Sequence, residues 1–211
     1  GILKKKDLSK LVDIVEKNNL WIISDEVYEE LIFSEDFISP LEIESLAKRT
    51  VVVSSISKSH AAPGFRSGWV FAQADVINKM LPLAETMLFG NQPFIADMTA
   101  YAISNKSKTA IKMKTDYERR AKLICKKLAK TKNIRPIMPK SGMFILIKLE
   151  LNNYSDEKFA WELLRTEGIA VMPGSSFGLN GKDLIRLSLT VPDNKLEKAC
   201  ERIDEFVRNI V

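Results

Sequence analysis

Histidine occurs once in the 211 residues, at His60, and cysteine twice, at Cys125 and Cys200. A single imidazole excludes every mechanism that needs a histidine pair, and with it a histidine-built zinc site. The two cysteines lie far apart on stretches of helical spacing, with no metal-ligand interval, so they are expected to be free buried thiols in a reducing compartment. No apolar run approaches the roughly 20 residues that cross a bilayer, and the lysines near the N-terminus are not followed by a signal-peptide core. The expectation is a soluble, cytoplasmic protein with neither metal nor membrane partner. Aromatics make up only 8% of the chain, and the lysines behind the net charge of +5 are not interleaved with them. The surplus positive charge therefore reads as solvated helix faces and not as a nucleic-acid stripe.

What is present is apolar material in short, patterned runs. At 45% hydrophobic residues the chain can build one good core or two small ones. Leu8, Leu11, Val12 and Val15 fall on one helical face, closed by Asn18 and Asn19 before a strand over 20–24 that reads as buried. Val51 to Ser55 and Ser67 to Gln73 read as further strands, separated by the turn at Pro63 and Gly64. This beginning predicts part of a mostly parallel sheet covered on both faces. Helical spacing follows over 75–88 and 95–103, then in a long segment through Met113, Tyr117, Ile124 and Leu128. Beyond it, strands are predicted over 134–138, 143–149 and 184–190. One helix runs from Ser155 as N-cap to Gly168 as stop, and a last helix starts near Asp193 with Leu196, Ala199, Ile203, Phe206 and Ile210 inward. The predicted division is 1–117 and 118–211, the second part being a smaller α+β domain.

Chemistry concentrates in Ser55-Ile-Ser57-Lys58 and in Gly64-Phe-Arg66-Ser-Gly68. A lysine carried into a cleft at a strand end can act as nucleophile and base. Ser55, Ser57 and Arg66 around it supply hydroxyls and a planar charged fork suited to a phosphate, and Gly64 and Gly68 would permit close backbone approach to a ligand. Upstream, Asp25 and Tyr28 follow the 20–24 strand. In an open α/β sheet, ligands gather at the carboxyl ends of strands, so Asp25, Tyr28 and Lys58 could converge on one ring. Each residue has a plainer alternative: Asp25 as a helix cap, Tyr28 as a core phenol, Arg66 as a surface ion-pair partner. Arg186, in Leu184-Ile-Arg-Leu-Ser188, reads as a guanidinium inside an apolar strand that must have a partner, a structural ion pair being the plain alternative. His60 reads as a local packing residue.

The composite of Asp25-x-x-Tyr28, Ser55-x-Ser57-Lys58 and Gly64-x-Arg66-x-Gly68 resembles the fold-type I pyridoxal-phosphate enzymes, specifically the class I and II aminotransferases. The whole chain can be laid along the C-terminal half of that family's usual chain. The resemblance implies an α/β fold: the C-terminal part of a mostly parallel large cofactor-binding domain over 1–117, and a small C-terminal domain over 118–211. It implies pyridoxal 5'-phosphate as cofactor, Lys58 as the catalytic Schiff-base amine, and Asp25, Tyr28, Ser55, Ser57 and Arg66 as further cofactor-binding residues. It also implies Arg186 as the clamp on a substrate α-carboxylate, amino acids and 2-oxo acids as substrates, and a homodimer. Gly174 and Phe177 resemble a family loop near the substrate entrance, with Met143 and Phe144 in the same region. The expected activity is amino-group transfer between an L-amino acid and a 2-oxo acid. A related lyase or synthase and a catalytically incomplete fragment or binding module stay open as alternatives.

Overall fold

Leu8, Leu11, Val12 and Val15 recur every three or four residues, and the chain is helical there as α1 (Lys5–Lys17). The Asp7 carboxylate accepts from the Lys4 N–H at 3.1 Å at the front of the helix, and Asn19 leaves its far end at φ 52°. Leu8 and Val15 pack with Leu46 into a buried cluster, flanked by Leu11, Val12, Ile22, Ile38 and Ile43. The computed structural model describes residues 2–33, 36–152 and 154–211, which fall into two compact units, Gly1–Lys114 and Thr115–Val211.

In the first unit β1 (Ile22–Asp25) is followed by the short helix α2 (Glu44–Ala47), β2 (Thr50–Ser55), the single turn α3 (Ile56–Ser59) and β3 (Gly68–Phe71). Helices α4 (Ala74–Leu88) and α5 (Pro93–Ile103) come next. The sheet order is β1-β2-β3. The first pair is parallel, from Ile22 opposite Thr50 to Asp25 opposite Val53, and the second is antiparallel, from Val52 opposite Phe71 to Ser55 opposite Gly68. The sheet is thus mixed. Nor is it covered on both faces: Ile23 is 76% exposed on β1, whereas Val52 at the centre is buried. The same openness continues on α4, where no side chain is buried and Met87 and Leu88 lie in the open.

Helix α6 (Lys108–Leu128) leads into the second unit, where β4 (Ile134–Ile137), β5 (Phe144–Leu149), α7 (Asp156–Glu167), β6 (Met172–Pro173), β7 (Leu184–Ser188) and α8 (Asp193–Ile210) follow. The strands form an antiparallel sheet ordered β4-β5-β7-β6. Strict alternation sends Ile145, Ile147, Leu149, Ile185 and Leu187 to one face, where they are buried. Phe159 and Leu163 of α7, Ile203 and Phe206 of α8, and Ala121 and Ile124 of α6 complete this core. Phe159 meets Phe206 edge to face at 5.2 Å between centroids. Each such fully buried side chain contributes on the order of 1.5–3 kcal/mol of transfer free energy.

Helix α7 has the ends its residues dictate: the Ser155 hydroxyl accepts from the Lys158 N–H at 3.1 Å, and Gly168 closes the helix at φ 67°. Helix α8 buries Leu196, Cys200, Ile203, Phe206 and Val207, while Ala199 and Ile210 are only half-buried. The two-residue strand β6 has no counterpart in the sequence reading.

Candidate active site

Asp25 is the last residue of β1, level with Val53 on the neighbouring parallel strand. Its Oδ1 accepts from the Val27 N–H at 3.2 Å, and the Glu26 N–H bonds the Val53 carbonyl at 2.9 Å. These bonds turn the chain at the strand's end; Asp25 closes a local turn and caps no helix, the cap position of the next 3-10 turn being Tyr28. Tyr28 then precedes a 3-10 turn at Glu29–Leu31. That turn packs against α3. Burial, then repulsion from Glu26 and Glu30, pushes the Glu29 carboxyl above its ordinary range.

Strand β2 continues two residues beyond Val53 and passes directly into α3, so Lys58 sits in a helical turn and not at the strand end itself. The physical reason is Ser55: its hydroxyl accepts from the Ser57 N–H at 3.3 Å and starts the turn as its cap. Lys58 is half-buried, with no ion pair to its amine among the described residues. The turn is tied down from behind. Ser107 donates to the Ser59 carbonyl at 2.8 Å, and the His60 Nε2 lies 3.2 Å from the Ala102 carbonyl. A carbonyl only accepts, so Nε2 donates to it, and Nδ1 lies 2.9 Å from the Ser59 hydroxyl. His60 is therefore a packing link, as its position suggests.

Arg66 adopts the left-handed conformation at φ 52° and donates from Nη1 to the Pro63 carbonyl at 2.6 Å. It is exposed and has no acidic partner among the described residues. Gly68 is needed for a different reason from ligand approach. A Cβ there would lie 2.7 Å from the Ser54 carbonyl, so its missing side chain lets β3 close on β2, whereas Gly64 faces open space. Behind Arg66, buried Ser67 accepts from Thr99 Oγ1 at 2.7 Å and from Asn91 Nδ2 at 3.4 Å. The carboxyl ends of β1 and β2 and the start of β3 thus gather Asp25, Tyr28, Ser55, Ser57, Lys58 and Arg66 at one end of the sheet.

Arg186, in the second unit, does not lie inside the strand's apolar side. Alternation along β7 buries Ile185 and Leu187 and turns Arg186 to the opposite face. Its partner is not an acid: no ion pair to it exists among the described residues. The guanidinium carbon instead lies 4.2 Å from the centroid of Phe144 and 4.2 Å from that of Phe177. Two ring faces hold the planar cation and leave its N–H edges available, the geometry a carboxylate can meet side by side. The sequence reading placed Phe144 and Phe177 near one another without connecting either to Arg186. Both thiols are free, and burial raises both, Cys200 to about 11.

An α/β unit with a lysine just past the carboxyl ends of parallel strands and a second unit with an antiparallel α+β fold define a class that the comparisons make specific. Residues 1–203 match the family model for aminotransferase class I and II, and the chain belongs to that family. It is 36% identical over 193 residues to an arginine–pyruvate transaminase of Pseudomonas aeruginosa, covering 92% of this chain and 49% of the relative. It is 31% identical over 211 residues to an aspartate aminotransferase of Pyrococcus abyssi, covering 99% of this chain and 54% of that one. The crystal structure of an aromatic aminotransferase from Pyrococcus horikoshii OT3 superposes with a TM-score of 0.94 at 30% identity, over all of this chain and 57% of that one. The chain spans about half the length of the curated relatives it matches.

Proposed function

We propose that this chain is the C-terminal part of a pyridoxal-phosphate-dependent aminotransferase that moves an amino group between an L-amino acid and a 2-oxo acid. The observation that carries the reading is the gathering of an amine, a carboxylate and a guanidinium at one end of the first sheet. The donor set fits the cofactor. Lys58 has no acidic partner, Asp25 engages one oxygen with Val27 N–H, Arg66 spends only Nη1 on Pro63, and the Ser57 hydroxyl has no partner, all among the described residues. Pyridoxal phosphate, when bound, supplies the electron sink for the charge left on the substrate α-carbon.

In this reading Lys58 Nζ would hold the cofactor and would be the base that moves the substrate α-proton. Asp25 would favour the protonated form of the cofactor's ring nitrogen, and Tyr28 would help to hold the ring. Ser55, Ser57 and Arg66 hold the phosphate. Arg186 would donate from its open N–H edge to the substrate α-carboxylate, with Phe144 and Phe177 covering its faces. Residues 1–117 belong to a large cofactor domain and 118–211 to a small one. The protein acts in the cytoplasm as a homodimer, and its donors fall among the arginine–pyruvate and aspartate types.

The test is turnover of the complete protein with a panel of amino acids against pyruvate or 2-oxoglutarate. Formation of a new amino acid is the expected result. Release of ammonia or carbon dioxide in its place would replace transfer by a lyase reaction on the same site.

A further inference from the structure

Asp156 is buried, with 2% of its surface exposed, and the reaction proposed above makes no use of it. It begins α7, yet its carboxylate is directed to other segments. Oδ2 accepts from the Ser175 N–H at 2.7 Å. One carboxylate therefore ties the start of α7 to the 3-10 turn Gly174–Phe177. That turn and β7 meet in the Arg186 assembly. The turn carries Phe177, which stacks on the guanidinium, and β7 carries Arg186 itself.

The connection is stiff. Gly174 and Gly181 cross so closely that a Cβ on either would overlap the other's carbonyl, so the turn has no room to slide. Asp183 turns the chain into β7 at φ 62°, a left-handed conformation that aspartate adopts more readily than most non-glycine residues. Phe177 is 56% exposed, so little apolar packing keeps its ring in place. The placement of that ring must come from the backbone turn, and the turn is fixed by Asp156.

We infer that Asp156 is a positioning residue for substrate carboxylate binding, acting through the Gly174–Phe177 turn to hold the Phe177 ring on Arg186. The inference rests on the reading of Arg186 as the carboxylate clamp. Removing the charge weakens the charge-assisted bond from the Ser175 N–H without touching the cofactor end, so the loss belongs to substrate binding and not to the chemical step.

The experiment is a double-mutant cycle in the complete, cofactor-loaded protein with Asp156→Asn, Phe177→Leu, the pair, and Arg186→Gln as reference. KM and kcat are measured for the best amino donor, and the Arg186 side-chain Hε resonance is followed in 15N-labelled protein. Stacking between two rings shifts that resonance upfield. The expected result for Asp156→Asn is a KM raised about tenfold with kcat within about twofold, and an Hε shift moved toward that of free arginine. In the Phe177→Leu background the same substitution should add nothing. A KM increase of equal size in that background, a fall in kcat with KM unchanged, or an unmoved Hε resonance would overturn the inference alone. An unchanged KM in Arg186→Gln would overturn the clamp reading and the inference with it. Should Asp156→Asn not fold, Ser175→Ala removes the hydroxyl that acts on the same carboxylate in the same cycle. It is expected to raise KM about threefold, again only with Phe177 present, and an equal rise without Phe177 overturns the inference.

Discussion

At the residue scale two arginines, one in each unit, show how local chemistry decides a role. Arg66 and Arg186 are both without acidic partners among the described residues, but they are held differently: Arg66 by its own turn through the Pro63 carbonyl, Arg186 by two ring faces. Asp156 shows the opposite case, a carboxylate whose partners are all N–H and O–H groups. Burial alone would raise its pKa, but the bonds from Ser175, its own N–H and Asp183 outweigh burial and lower it. A carboxyl lowered on folding stabilises the protein above the unfolded value of about 4, and that stability is lost as the pH falls through the lower folded value. Asp156→Asn should therefore lower Tm at pH 7 and shrink that deficit below pH 4. A deficit equally large at pH 3 and pH 7 would show that the charge contributes nothing. Asp25→Ala tests the other acid: kcat should fall at least about 100-fold, as when a group facing developing charge is removed. Steady-state rates of the complete protein would show it.

At the element scale the tight packing of β3 on β2 is the feature most open to attack. Gly68→Ala places a methyl 2.7 Å from the Ser54 carbonyl, and one of the two strands must move. The expected cost is about 1–3 kcal/mol, read by denaturant unfolding, with Gly64→Ala close to neutral because that glycine faces open space. Ser155→Ala should cost about 1 kcal/mol by removing the α7 cap. The sequence announced this helix fully, since a capping serine and a closing glycine are chemical signals at both ends. It announced β2 and β5 as well, through apolar runs. It did not announce α3, because one helical turn has no periodicity to read, nor β6, because two residues cannot alternate. The placement of Arg186 was legible in principle: Leu-Ile-Arg-Leu-Ser alternates, and the alternation turns arginine away from the core. The ring partners were not, because Phe177 reaches Arg186 through a turn whose geometry depends on Asp156 and two glycines. Asp156 itself looks like any acid in a first helical turn.

On the scale of the whole molecule the two units differ in how they satisfy their apolar surface. The second has its own closed core around Phe159, Leu163, Ile145, Ile185 and Ile203. A fragment from Ser107 onward should therefore fold by itself with one cooperative transition, and a gradual loss of circular dichroism on heating would count against an independent core. In the first unit Ile23, Phe71, Leu83, Met87, Leu88, Phe89 and Phe94 are all more than half exposed. Patches of that extent are interaction surfaces, and relatives about twice as long have further chain available to cover such a surface. Expressed alone, the 211 residues should bind an apolar dye and aggregate, and the complete protein should bind no dye and assemble no further than a dimer. Among the described residues no helix is long and apolar enough to cross a membrane, so the exposed side chains do not form such a span.

The central claim is that Lys58 is the amine that carries the cofactor. Borohydride reduction of the complete protein with pyridoxal phosphate present, followed by peptide mapping, tests it most directly. The account predicts one pyridoxyl group, on the peptide that contains Lys58, and no labelling of that peptide in Lys58→Ala. A label on any other lysine, or none at all, would contradict it.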